Sequence, residues 1–280
     1  MTIKWNKPKR PIEPKLNTPM LVEKEGRVGI LTLNNPDHLN TLDNKEDDLM
    51  ISLLKDIKED LDIRVLIITG AGRAFSAGAN VKDWRAREIA YQEMGGRPEE
   101  ATLVHEGTQK EFIALENLQK PTIAMVNGLA VGQGADLAMA CDFRVASDRA
   151  WFQWAYILNG IVPMDGGCWF LPRLVGKSKA LELLLTGDRV NADEALRLGI
   201  VNKVVPHEQL KAATMELANK IANGPWNAVQ MTKQIVNAAE HDSLQESMNK
   251  AYLAANLERE TMAKGFIAKG EKRQADFGST

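Results

Sequence analysis

Cysteine is nearly absent, since the 280 residues hold only Cys141 and Cys168. Two thiols at that spacing match no metal-ligand pattern and supply no disulfide framework. They fit a reducing compartment, for which the cytoplasm is the expectation. No stretch approaches the roughly 18 consecutive apolar residues of a membrane span. The opening MTIKWNKPKRPIEPKLNTP also lacks the apolar core of a secretory signal. It carries Lys7, Lys9, Arg10 and four prolines, and reads as an extended arm over residues 1–19. An excess of one charge is missing too: the formal net charge is −2. Without a basic field, or basic residues interleaved with aromatics, nucleic acid is not an expected partner. What remains is a soluble chain with 44% apolar and 26% charged residues, enough to build a sizeable core.

Residues 20–206 read as an α/β core. Met20-Leu21-Val22 and Val28–Leu33 are short apolar strands around a Glu25-Gly26 turn. Leu49, Met50, Leu53, Leu54, Ile57 and Leu61 recur at helical spacing, which predicts an amphipathic helix over 44–61. Val65–Ile68 is a wholly apolar run, as a strand buried on both faces requires. A polar insertion follows over 84–103, then a helix from about 99 to 118. Thr122–Val126 is another strand, Asn127-Gly128 a turn, Ala135–Ala140 a small-residue helix and Phe143–Ala146 a strand. Asn191 and Glu194 form a capping pattern for a helix over 191–198. Trp169 and Phe170 are expected in the core. From 207 to 280 only helical periodicity is left; Leu210, Ala213, Leu217 and Ile221 mark one face of a helix over 208–222, suited to packing on other helices.

Several segments resemble one family. Phe75-Ser76-Ala77-Gly78-Ala79-Asn80-Val81-Lys82 resembles the F-x-A-G-A-D-[IL]-K loop of the crotonase (enoyl-CoA hydratase/isomerase) superfamily. Lys120–Gly128 resembles its K-P-x-I-A-x-[VI]-N-G strand and turn, and Gly132–Asp142 its G-G-G-x-E-L-A-x-x-C-D helix start. Gly160–Pro163, Leu171–Gly176, Leu185–Arg189 and Glu194–Asn202 continue the series in order, out to Lys272-Arg273 and Phe277. The resemblance implies a spiral of ββα units with a helical C-terminal trimerisation region. It also implies an acyl-CoA thioester substrate, no cofactor besides the coenzyme A of that substrate, no metal and no membrane, and a homotrimer or a dimer of trimers.

The implied chemistry is stabilisation of a thioester enolate. Two backbone N–H groups aimed at the thioester oxygen are oriented before charge develops; by family position they belong to Ala79 and Gln133. The family usually has glycine where this chain has Gln133, but the donor is a backbone group either way. Hydratases of the family use two glutamates. The first falls at Asp136, a shorter carboxylate; the second falls at Tyr156, which is no base at neutral pH but can donate a hydrogen bond. Some relatives place an aspartate at the position of Met164, and this chain has Asp165 one residue later. Asp136 and Asp165 are therefore expected to share the proton work, with Tyr156 orienting substrate or water. Asp165 could instead cap a helix beginning at Gly166, and Asp136 could be a buried structural carboxylate.

His105, Trp154 and Met164 are expected at the acyl pocket. The cluster Trp151, Phe152, Trp154 and Tyr156 favours a bulky, cyclic or aromatic acyl group, unless it is plain core. Ala77, Lys82, Phe266 and Lys269 are the candidates for binding coenzyme A, the segment around Phe266 reaching over the coenzyme of a neighbouring subunit. Hydratase and isomerase activity both fit. A hydrolase or lyase of the same family, or a catalytically silent acyl-CoA-binding protein, remains open at this point.

Overall fold

The computed structural model of the protein describes residues 18–80 and 109–277, with Lys82, Arg85, Ile89, Gln92, Glu93 and Gly95 between them. His105 and most of the 84–103 stretch lie outside the described residues. Strands β1 (Met20–Glu25) and β2 (Val28–Leu33) form the expected hairpin, with Met20 opposite Leu33. Helix α1 (Asn44–Glu59) follows; Asp43 caps it by accepting from the N–H groups of Lys45 and Glu46. Strands β3 (Val65–Gly70) and β4 (Ala74–Ser76) come next, and then helix α2 (Lys110–Glu116), which ends short of residue 118.

Two further units repeat one plan. β5 (Thr122–Val126) and β6 (Leu129–Val131) lead into α3 (Gln133–Ala140). β7 (Phe143–Ser147) and β8 (Trp151–Gln153) lead into α4 (Gly167–Val175). Each unit gives its first strand to a six-stranded sheet, ordered β1-β2-β3-β5-β7 and then β10 (Lys203–Val205), and its second to a four-stranded sheet, ordered β4-β6-β8 and then β9 (Arg189–Asn191). This is the expected spiral of ββα units. The chain closes it with α5 (Lys177–Thr186), β9 (Arg189–Asn191), α6 (Ala192–Arg197), β10 (Lys203–Val205) and α7 (Leu210–Ala222). Helices α8 (Trp226–Ala238), α9 (Leu244–Leu257) and α10 (Arg259–Gly270) complete it.

Period-two alternation divides the core. Leu66 and Ile68 face the interior shared by both sheets, with Phe75, Phe152 and Trp154. Val65 and Ile67 face the other way, against Leu210, Ala218 and Ala222 of α7. Burying one such side chain contributes about 1.5–3 kcal/mol, so a strand covered on both faces is strongly held in register. Helix α7 thus packs on the large sheet, and not on other helices as its periodicity suggested. Its stripe covers an apolar sheet face that sequence spacing alone does not locate. Trp169 also departs from expectation: it is 39% exposed, with the Arg173 guanidinium stacked on its ring. On α8 and α9 no residue is fully buried, and Leu244, Met248, Tyr252, Leu253 and Leu257 are exposed. No helix among the described residues is long and apolar enough to cross a membrane.

Candidate active site

Two backbone segments meet at the carboxyl ends of β4 and β6. Gly78 sits so close to the second segment that a Cβ there would lie 2.4 Å from the Val131 carbonyl oxygen and 3.0 Å from the Gln133 nitrogen. Its φ of +78° is also one that side chains disfavour. A Cβ on Gly134 would collide in turn with the Ser76 carbonyl oxygen, at 2.4 Å. The approach is therefore reciprocal, and only glycines permit it.

The direction of the two N–H groups follows from local hydrogen bonding. Leu42 pairs with the loop by donating to the Gly78 carbonyl and accepting from the Asn80 N–H. In that pattern the N–H of Ala79, the residue between, points away from Leu42. Helix α3 starts at Gln133, two residues earlier than its small-residue run suggested, so the Gln133 N–H is in the first turn and has no partner within the helix. It also sits at the positive end of α3. Asn40, itself at φ +55°, secures the first loop: its side-chain amide donates to the carbonyls of Ala71, Ala74 and Phe75.

Beside these loops lies a row of buried acids. Asp136, fully buried on α3, accepts from the Trp154 indole N–H at 2.8 Å and lies 2.6 Å from the Tyr156 hydroxyl. The Gly167 N–H also donates to it. The Tyr156 hydroxyl stands 2.9 Å from Asp165 Oδ2 as well. The end of the Tyr156 ring lies 3.9 Å from where a Cβ on Gly132 would be, hence next to the peptide that carries the Gln133 N–H. Asp165 is buried and does not cap α4, whose N-cap is Gly166.

A phenol carries one hydrogen, yet two carboxyl oxygens lie at hydrogen-bonding distance from it. If both contacts are hydrogen bonds, one carboxyl must hold a proton and donate it to the phenol oxygen. Burial supplies the reason: it is the main cause that raises Asp136 from 3.8 to about 7, against the hydrogen bond from Tyr156. Burial, and then the two neighbouring acids, push Tyr156 well above the usual tyrosine range, so it stays protonated.

A second acidic group was not foreseen. The Gln133 side-chain amide donates at 3.0 Å to Asp47 Oδ1 on α1 and at 3.0 Å to Glu111 Oε1 on α2. All three side chains are buried. Burial raises Asp47 to about 6, and burial together with the neighbouring Asp47 raises Glu111 well above the usual carboxylate range. A signal existed in the sequence: Asp47 lies on the same stripe as Met50, Leu54 and Ile57, which puts a carboxylate on the apolar face of α1.

Of the residues expected at the site, Asp136, Trp154, Tyr156 and Asp165 form one hydrogen-bonded cluster. Trp154 is fully buried, with its N–H given to Asp136, and Met164 is half-buried beside Asp165. Ala77 is half-buried in the first loop. Lys82, Phe266 and Lys269 are exposed and share no hydrogen bond with the cluster among the described residues.

Residues 23–280 match the family described as enoyl-CoA hydratase/isomerase. A probable mitochondrial enoyl-CoA hydratase of Dictyostelium discoideum is 40% identical over 230 residues, covering 81% of this chain and 78% of that one. A short-chain-enoyl-CoA hydratase of Clostridium acetobutylicum is 38% identical over 219 residues, covering 78% and 80%. The crystal structure of an enoyl-CoA hydratase from Bacillus anthracis aligns with a TM-score of 0.84 at 30% identity, over 94% of this chain and 100% of that one.

Proposed function

The chain belongs to the enoyl-CoA hydratase/isomerase family, and from that premise we propose that it adds water across the double bond of an enoyl-CoA thioester. The observation that carries this reading is the Tyr156 hydroxyl standing between Asp136 and Asp165. Hydration needs one group to take a proton from water and another to deliver one to the α-carbon. A bridged pair holding one extra proton has both.

The Asp165 carboxylate takes a proton from water, whose oxygen bonds to the β-carbon. The displaced π electrons move onto the thioester oxygen, where the N–H groups of Ala79 and Gln133 stabilise the enolate. The Tyr156 hydroxyl then protonates the α-carbon and takes the Asp136 proton in its place, so no phenolate forms. Return of a proton from Asp165 through Tyr156 to Asp136 restores the starting state.

The acyl group in this reading is bulky, cyclic or aromatic. Tyr156 offers a ring edge at the reacting centre and Met164 an adaptable half-buried side chain, whereas Phe152 and Trp154 belong to the core. Ala77 and Lys82, with Phe266 and Lys269 from the C-terminal helix, would hold coenzyme A. The exposed apolar residues of α9 support assembly as a homotrimer or a dimer of trimers, in the cytoplasm.

Product analysis tests the activity. Incubation with cinnamoyl-CoA and crotonyl-CoA should yield 3-hydroxyacyl-CoA, with the higher kcat/KM for the aromatic substrate. A shifted double bond without water uptake, or release of free coenzyme A, would overturn hydration; a preference for crotonyl-CoA would overturn the assigned acyl class.

A further inference from the structure

The Asp47–Glu111–Gln133 group takes no part in the proton transfers above, yet it grips the residue whose backbone N–H is assigned to the thioester oxygen. We propose that Asp47 and Glu111 are positioning residues of the oxyanion hole, acting through the side chain of Gln133. The inference rests on the acyl-CoA reading given above.

Gly132, immediately before Gln133, has φ 53° and ψ −123°. The Gly132 carbonyl accepts from the Asp136 N–H at 3.0 Å, which ties the 132–133 peptide to the first turn of α3, whereas the glycine on its other side resists rotation little. The Gln133 side chain supplies a second hold on the direction of that N–H. Each of the two amide hydrogens of Gln133 has its own carboxyl acceptor, one on α1 and one on α2, both at 3.0 Å. Two helices thus fix the side chain, and through its Cα the peptide plane that aims the N–H.

The arrangement is costly. Asp47 is 1% exposed and Glu111 fully buried, and two buried carboxylates facing each other would repel. Burial raises both groups and the neighbouring Asp47 raises Glu111 further, so the pair favours holding a proton, and Asp47 Oδ2 and Glu111 Oε2 have no hydrogen-bond partner among the described residues. The remaining negative charge lies near the positive end of α3. A glycine at 133 would need no such partners, so the three polar side chains form one device.

The test has a kinetic arm and a spectroscopic arm. In Asp47→Leu/Glu111→Met the amide of Gln133 loses both acceptors, and kcat should fall at least 10-fold with KM changed less than about threefold, as expected for an interaction made mainly in the transition state. In a Gln133→Gly background the same pair of substitutions should change kcat less than twofold, because the side chain it acts through is gone. An equal loss in both backgrounds, or no loss in the first, overturns the proposal.

The second arm reads the hole directly, and Gln133→Met serves in it if the double variant fails to fold. Butanoyl-CoA labelled with carbon-13 at the carbonyl cannot be hydrated, and its C=O stretch should shift to lower frequency on the wild-type enzyme. The shift should shrink by at least half in the variants. A wild-type spectrum identical to that of free thioester overturns the oxyanion hole itself; a wild-type shift retained in full by the variants overturns only the role of Asp47 and Glu111.

Discussion

The hydroxyl of Tyr156 lies 2.6 Å from Oδ2 of Asp136 and 2.9 Å from Oδ2 of Asp165, so one phenol joins two buried carboxyl groups. Replacing Tyr156 by Phe breaks that link while keeping the ring. The expected result is a loss of kcat of about 10²–10⁴, the range for removal of a proton-transfer group, with KM changed less than about threefold. The decline of the enoyl-thioester absorbance measures it. Turnover within threefold of wild type would show that the two carboxyls work without the bridge.

The carboxyls themselves are separable. Asp136→Asn and Asp165→Asn should each lower kcat at least 100-fold, because each removes one end of the relay. Circular dichroism establishes that both variants fold. Full activity in either would remove that residue from the mechanism.

How much of this was legible beforehand depended on the kind of signal. Strands such as Val65–Ile68 and the helix carrying Met50, Leu54 and Ile57 followed from periodicity, and the glycines around 78 and 132–134 marked the two loops. Asp136 and Asp165 were legible as candidates through their positions in motifs. Their joining by Tyr156 was not, because it depends on how the turn after β8 folds back over α3. Asp47 and Glu111 escaped because partners 86 and 22 residues from Gln133 share no local pattern with it. Only the oddity of an acid on an apolar stripe pointed to them.

Stability should vary with pH in a direction set by burial. Asp136 is raised from 3.8 to about 7 in the folded chain, so the native state binds its proton more tightly than the unfolded state does. The sign is then fixed: its contribution is fully favourable below about pH 4 and is lost as pH rises towards 7. Urea unfolding at pH 5 and pH 7.5 should show Asp136→Asn gaining relative to wild type at the higher pH. An unchanged difference between the two proteins would mean that Asp136 titrates normally.

Trp154→Phe removes the indole N–H that donates to Asp136, one of the interactions opposing the effect of burial. Asp136 should then hold its proton to higher pH. The corresponding limb of the kcat–pH profile should move upward by about half a unit or more, a size typical of one lost hydrogen bond. A profile that stays in place would detach the indole from the chemistry.

Gly78→Ala places a methyl group 2.4 Å from the Val131 carbonyl oxygen at a positive φ. The cost should be about 2 kcal/mol or more, together with a fall in kcat as the two loops separate. Chemical denaturation reads the first effect and turnover the second. A variant as stable and as active as wild type would mean that the loops need not approach so closely.

The most direct measurement is a crystal structure of the enzyme with an unreactive acyl-CoA bound. The thioester oxygen should lie about 3 Å from the nitrogens of both Ala79 and Gln133, a hydrogen-bonding reach, with Tyr156 or Asp165 within about 4 Å of the α- or β-carbon. A thioester oxygen bound elsewhere, or reacting carbons remote from Tyr156 and Asp165, would contradict the account.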